Sequence, residues 1–327
     1  MLPASRSLRR VHSLLPLAAL LLAPLPAAAL PPCPTFFPDF HCDRQGRPEG
    51  FVPPVSAPYL FEDPFITTGL SGWYLYQSYP GGSALDGGHL NAVALQARVA
   101  ITDRLAFIAT QDGYVWNSPG LDIVDDDSAF VNIAAGFKYA LIDLREKNFI
   151  LTPALRIEAP TGGREVYSGY GDGVLIPSVS SAWGLGDFHA IGSLGAQVPF
   201  STAKQSTQLF YDLHLDYALF SHFVPLVELN GYHWTDAGNG HLPVETDLGT
   251  VDLKTAQALL GTGGFEGQDL LNLGSPNVAG RDIVTFAVGA RIPITRKISL
   301  GAVYEFPLTN RQDLLDQRVT ANLSLEF

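Results

Sequence analysis

Long apolar runs are missing from this 327-residue chain. Beyond the first thirty positions, no segment reaches the ~18 consecutive apolar residues that a membrane-spanning helix needs. If the chain sits in a membrane it crosses as strands, because only helices and closed barrels satisfy the backbone in lipid. Positive charge is also scarce, with 20 Lys and Arg against 32 Asp and Glu. That balance argues against nucleic acid as a partner. Mean hydropathy is only weakly positive. A barrel with a polar lumen gives such a value, whereas a helical membrane protein is far oilier. Cysteine is nearly absent, with Cys33 and Cys42 the two present.

The amino-terminal segment has the layout of an export signal. Arg6, Arg9 and Arg10 form a basic region, residues 14–25 an apolar one, and Ala27-Ala28-Ala29 offers a cleavage site. Residues 1–29 therefore read as a secretory signal peptide. An exported chain meets an oxidising compartment, so Cys33 and Cys42 are expected to close a small disulfide loop. A zinc site using His41 is the alternative, but two Cys and one His are one ligand short. Residues 30–66 are dense in proline and read as an irregular periplasmic leader.

Downstream, residues 67–327 contain twelve strand-like runs, at 67–78, 89–102, 104–116, 129–142, 148–159, 174–185, 188–199, 207–220, 223–234, 281–294, 297–308 and 316–327. Their lengths fit tilted spanning strands. Short turns and long connections alternate without exception, the longest being 235–280. That plan predicts an all-β fold, an antiparallel up-and-down transmembrane β-barrel of about 12 strands with both termini at the short-turn end. A soluble sandwich is the rival, but its strands are usually shorter. The last run alternates cleanly: Val319, Ala321, Leu323, Leu325 and Phe327 face one way, and Arg318, Thr320, Asn322, Ser324 and Glu326 the other. It resembles the closing strand of bacterial outer-membrane barrels, where a terminal Phe belongs to the signal read by the barrel-assembly machinery. Outer-membrane lipid is thus an expected partner.

Alternation assigns faces elsewhere. Leu209, Tyr211, Leu213, Leu215, Tyr217 and Leu219 point to lipid, and so do Val131, Ile133, Phe137, Tyr139 and Leu141. Aromatics near strand ends, among them Trp73, Trp116, Tyr232, Trp234 and Tyr304, are expected in an interfacial girdle. Gly231 is a candidate bulge. The inward, pore-lining set is Arg98, Lys138, Arg156, Glu158, Asp212, His214, Asp216, Glu228, Arg291, Glu305 and Arg318. Its mixed sign reads either as a salt-bridge ladder filling the bore or as a polar conduit.

Other chemistry is thin. Asp212, His214 and Asp216 share one face but stand too far apart for first-shell metal ligation. Asp122, Asp125, Asp126 and Asp127 read as a solvated loop, with calcium as the alternative. Gly-rich pieces after Pro160 open no helix and cradle no phosphate, so no cofactor is implied. His233 and Thr235 loosely resemble the His-x-Ser pair of outer-membrane phospholipase A, a rim hydrolase. The long connection 235–280 is expected to gate.

Ala159-Pro160-Thr161-Gly162, Gly171-Asp172-Gly173 with Pro177, and Glu228-Leu229-Asn230-Gly231 carry a further likeness. Over roughly residues 152–234 the chain resembles the outer-membrane transporter family linked to the meta-pathway of phenol degradation. That resemblance implies passive or gated passage of small solutes, often hydrophobic or aromatic, across the outer membrane. A lipid hydrolase at the rim and a structural or adhesive barrel acting through its loops are the alternatives.

Overall fold

The computed structural model describes residues 46–327, except 82, 84, 123, 203–204, 221, 237–242, 245–248, 250, 253–280, 311 and 313. The segment expected to be a signal peptide, both cysteines of the expected disulfide and most of loop 235–280 lie outside the described residues.

Twelve antiparallel strands close into one barrel. They are β1 (Gly69–Ser78), β2 (Gly88–Ala100), β3 in two pieces (Leu105–Gln111 and Tyr114–Pro119), and β4 in three (Asp127–Phe130, Ile133–Tyr139 and Ile142–Leu144). There follow β5 (Phe149–Ala159), β6 (Val174–Leu185), β7 (Phe188–Pro199), β8 (Thr207–Tyr217) and β9 (Val224–Asp236). The last three are β10 (Arg281–Pro293), β11 (Ile298–Pro307) and β12 (Gln317–Glu326). Each pairs with its chain neighbours. β1 closes the ring by pairing with β2 on one edge and β12 on the other, from Gly69↔Glu326 to Ser78↔Gln317. Closure leaves no open edge to recruit another chain.

Period-two alternation dictates the two faces. Leu95, Phe137, Leu155, Ile157, Leu194, Leu213, Tyr304 and Val319 are exposed on the outside of the ring, and they form an apolar belt. The residues between them, Gln96, Lys138, Arg156, Ser193, Asp212, Glu305 and Arg318, are buried inside. Polar-in and apolar-out is the reverse of a water-soluble barrel.

Local departures have local causes. β3 breaks at Asp112 and Gly113, where a Cβ on Gly113 would lie 2.8 Å from the Val93 carbonyl oxygen. β4 breaks at Val131 and Asn132, which turns Val131 inward to the core instead of out to lipid. Gly231 is not a bulge. Pairing of β9 with β10 runs in register from Val224 to Trp234. The glycine makes room for the ring of Tyr211 on β8, whose Cζ would stand 2.0 Å from an added Cβ. Because β9 does not flip, Tyr232 and Trp234 point inward and join the core, so they are not girdle residues. Trp73 also faces inward, beside Val55.

Candidate functional site: the filled bore

The bore is occupied by the chain itself. Residues 46–66, read from the sequence as part of a leader outside the barrel, are irregular as expected but lie in the lumen. Their polar contacts reach β2, β4, β5, β7, β9, β10 and β12, which a segment can do only from inside the ring. The segment enters at the short-turn end, where Arg47 meets Glu326 of β12 at 2.9 Å. It rises past Pro54, whose carbonyl accepts from Arg291 at 3.1 Å. Val55 and Ser56 then donate their backbone N–H groups to the Glu228 carboxylate. It turns over at residues 57–61, where the Ala57 carbonyl accepts from the N–H groups of Leu60 and Phe61. Ala57 adopts a positive φ of 46° there. The descending limb brings Glu62, Asp63 and Pro64 down the opposite wall to the start of β1.

We call residues 46–66 the inner loop. Few of its contacts are backbone-to-backbone with the barrel. Its carbonyls are bound instead by wall side chains: Gln96 to Pro58 at 2.7 Å, Arg156 to Tyr59 at 2.5 Å, and Thr152 to Pro64 at 2.7 Å. Arg156 also lies 5.9 Å from the Tyr59 ring centroid, within cation–π range. A proline-rich segment lacks the donors and the period for a thirteenth strand, so the wall must satisfy it group by group.

The inward charges are matched partly by the inner loop and partly by one another. Arg98 pairs with Glu62 at 2.6 Å, Lys138 with Glu62 at 2.7 Å and with Asp63 at 3.3 Å, and Arg47 with Asp63 at 2.8 Å. Burial works against the Glu62 and Asp63 charges, but the cations around them prevail and hold both carboxyls below the ordinary carboxylate range. Arg318 and Glu305 pair wall to wall at 3.4 Å. His214 joins two acids, with Nδ1 2.6 Å from Glu228 and Nε2 2.9 Å from Asp216, and Asp216 also meets His189 at 2.7 Å. Glu158 is held by the Asn132 amide at 2.6 Å and by the Tyr59 hydroxyl. Asp212 is buried, and neither carboxylate oxygen has a hydrogen-bond partner among the described residues.

The outer half of the bore is closed differently. Leu85, Val166, Tyr167, Leu314 and Leu315, all from outer connections, pack on Leu90, Val115, Val174, Trp234 and Ile283 of the wall and on Tyr59 and Leu60 of the inner loop. This cap is apolar, whereas the inner loop adds ion pairs and side-chain-to-carbonyl hydrogen bonds to the apolar packing of Phe51, Phe61, Phe65 and Ile66.

The remaining candidates gather little. Nδ1 of His233 lies 2.5 Å from Asp282 of β10, an acid the sequence did not point to. Thr235, however, donates to the Thr207 carbonyl at 3.3 Å. Among the described residues no three His, Cys, Asp or Glu side chains group as metal ligands, so Asp122, Asp125, Asp126 and Asp127 do not converge.

The fold is that of an outer membrane channel. The chain is similar to an outer membrane channel from Pseudomonas putida F1 at 16% identity and a TM-score of 0.50, over 85% of this chain and all 100% of that one. It is also similar to the KdgM porin, at 10% identity and a TM-score of 0.42 over 79% and 99% of the two chains. No family profile and no curated protein matches the chain. The likeness reaches outer membrane channels in general and stops short of the phenol-degradation family. Closed ring, apolar belt and neighbour agree on the location, which is the bacterial outer membrane.

Proposed function

We propose that the protein is an outer-membrane channel for small solutes, closed at rest by its inner loop and opened when that loop leaves the wall. The observation that carries this reading is the way the loop is held. A strand of the sheet would be a permanent filling, and apolar packing by Phe51, Phe61 and Phe65 alone would leave no group to exchange. Here the periplasmic half is filled by an irregular segment bound through ion pairs and side-chain-to-carbonyl hydrogen bonds. Such contacts exchange for water or solute groups far more readily than a sheet ladder does. Twelve strands enclose a bore between the filled eight-stranded and the open sixteen-stranded cases, so removing the inner loop clears the periplasmic half and withdraws Tyr59 and Leu60 from under the outer cap.

The rim hydrolase has weaker support, because Thr235 is hydrogen-bonded to a backbone carbonyl instead of to His233. The hydrophobic or aromatic character of the solute is carried over from the sequence resemblance.

Liposome swelling in small sugars tests the proposal. Full-length protein should give slow flux, and Arg156→Ala, which frees the Tyr59 and Leu60 carbonyls, should raise it. Impermeable liposomes with both folded proteins would sink the channel reading.

A further inference from the structure

We propose that the periplasmic half of the bore holds a binding site for a solute joining a carboxylate to an apolar or aromatic body, and that residues 61–65 of the inner loop occupy it as an internal mimic. The inference rests on the channel reading above and deepens it.

The site has two parts. The first is a pair of cations, Arg98 on β2 and Lys138 on β4. Among the described residues, their ion pairs are all to Glu62 and Asp63 of the inner loop, with no wall carboxylate among the partners. The second is an apolar patch beside them, formed by Ala106, Ala140 and Ile150, on which Phe61 and Phe65 pack. Phe61-Glu62-Asp63-Pro64-Phe65 thus presents carboxylates flanked by phenyl rings to a wall that offers cations flanked by aliphatic surface.

The charge of the wall is also divided. Arg98, Lys138 and Arg156 project from β2, β4 and β5, and Asp212, Asp216 and Glu228 from β8 and β9. In a ring of twelve, β2 stands across from β8, so Arg98 faces Asp212 and Asp216, while Glu158 beside Arg156 on β5 and Arg291 on β10 are exceptions to the division. An anion in the bore is drawn to the side where Glu62 now sits.

The same arrangement links binding to opening. Lys138 is fully buried. When the loop leaves, Lys138 and Arg98 exchange the Glu62 carboxylate for the water of the open bore, and the lost ion pairs favour the closed state. A solute carboxylate that takes the place of Glu62 restores those pairs and shifts the population toward the open bore. Neutral solutes of the same shape cannot.

The experiment is conductance of full-length protein in planar bilayers at low ionic strength, with phenylacetate or neutral 2-phenylethanol as the probe. Phenylacetate should raise the open fraction roughly tenfold, the scale set by one charge-assisted contact, and phenylethanol should not. Lys138→Gln should open more often at rest yet lose the phenylacetate response, and Lys138→Arg should keep it. Equal responses to the two probes, or a Lys138→Gln protein that still responds to phenylacetate, would overturn the site while leaving the channel intact. Silence of all three proteins under every condition would overturn the channel reading and the site with it.

Discussion

The Glu228 carboxylate on β9 accepts the backbone N–H of Val55 at 2.8 Å, and its second oxygen accepts that of Ser56. One wall side chain therefore satisfies two consecutive buried donors of the inner loop while His214 holds it from behind. Glu228→Ala orphans both N–H groups, at about 1–3 kcal/mol each when buried. The inner loop should become accessible to added protease while the barrel stays folded and heat-modifiable. Glu228→Gln keeps an acceptor oxygen and should show a smaller effect. Unchanged protection in the alanine variant would mean that the loop is held elsewhere.

Acid should release the loop, and the window follows from its own carboxyls. Glu62 and Asp63 are held below their ordinary values in the folded protein. Their contribution is fully present above the unfolded carboxylate range of about 4 and is lost as pH falls below it, through the depressed folded values. Loop protection against an acid-active protease should be flat from neutral pH down to that range and fall beneath it. A transition centred near neutrality would show that other groups control docking.

Glycines on the wall separate into two kinds. At Gly231 an added Cβ meets the Tyr211 ring, whereas at Gly72 nothing lies within 4 Å. Gly231→Ala must displace that ring and should cost about 1–3 kcal/mol of barrel stability, the usual penalty for overpacking. Gly72→Ala should be close to neutral. Urea unfolding from vesicles measures both, and equal midpoints for the two variants would contradict the packing described.

The barrel was legible in the sequence because its signal is long and periodic. The twelve runs, the alternating turn lengths and the outward faces of β8 and β12 follow from residue alternation alone. The inner loop was not legible, because it has no period and its prolines resemble a solvated linker. One signal was present and passed over. Residues 51–66 carry Phe51, Val52, Val55, Tyr59, Leu60, Phe61, Phe65 and Ile66, more apolar surface than an exposed leader tolerates. The inward charges were likewise found by position, but their partners were sought on neighbouring strands. Arg98 and Lys138 are matched by Glu62, at 36 and 76 residues' distance in sequence, which no strand pattern encodes. Tyr232 and Trp234 were misplaced because aromatics near strand ends were read as a girdle, and Gly231, a candidate bulge by sequence, instead admits a ring from β8.

Locking the inner loop to the wall is the most direct test of whether it closes the channel. Ser56 and Asn230 touch through their side chains, with the Asn230 amide donating to Ser56 Oγ at 2.9 Å. Ser56→Cys with Asn230→Cys, in a protein whose Cys33 and Cys42 are replaced by serine, places two thiols at this contact, to be joined directly or through a short reducible bis-thiol linker. Single-channel conductance is then recorded from one reconstituted sample, before and after reduction. The account predicts silence while the bond is intact and conductance steps once it is cut. Identical conductance in the oxidised and reduced states would contradict it.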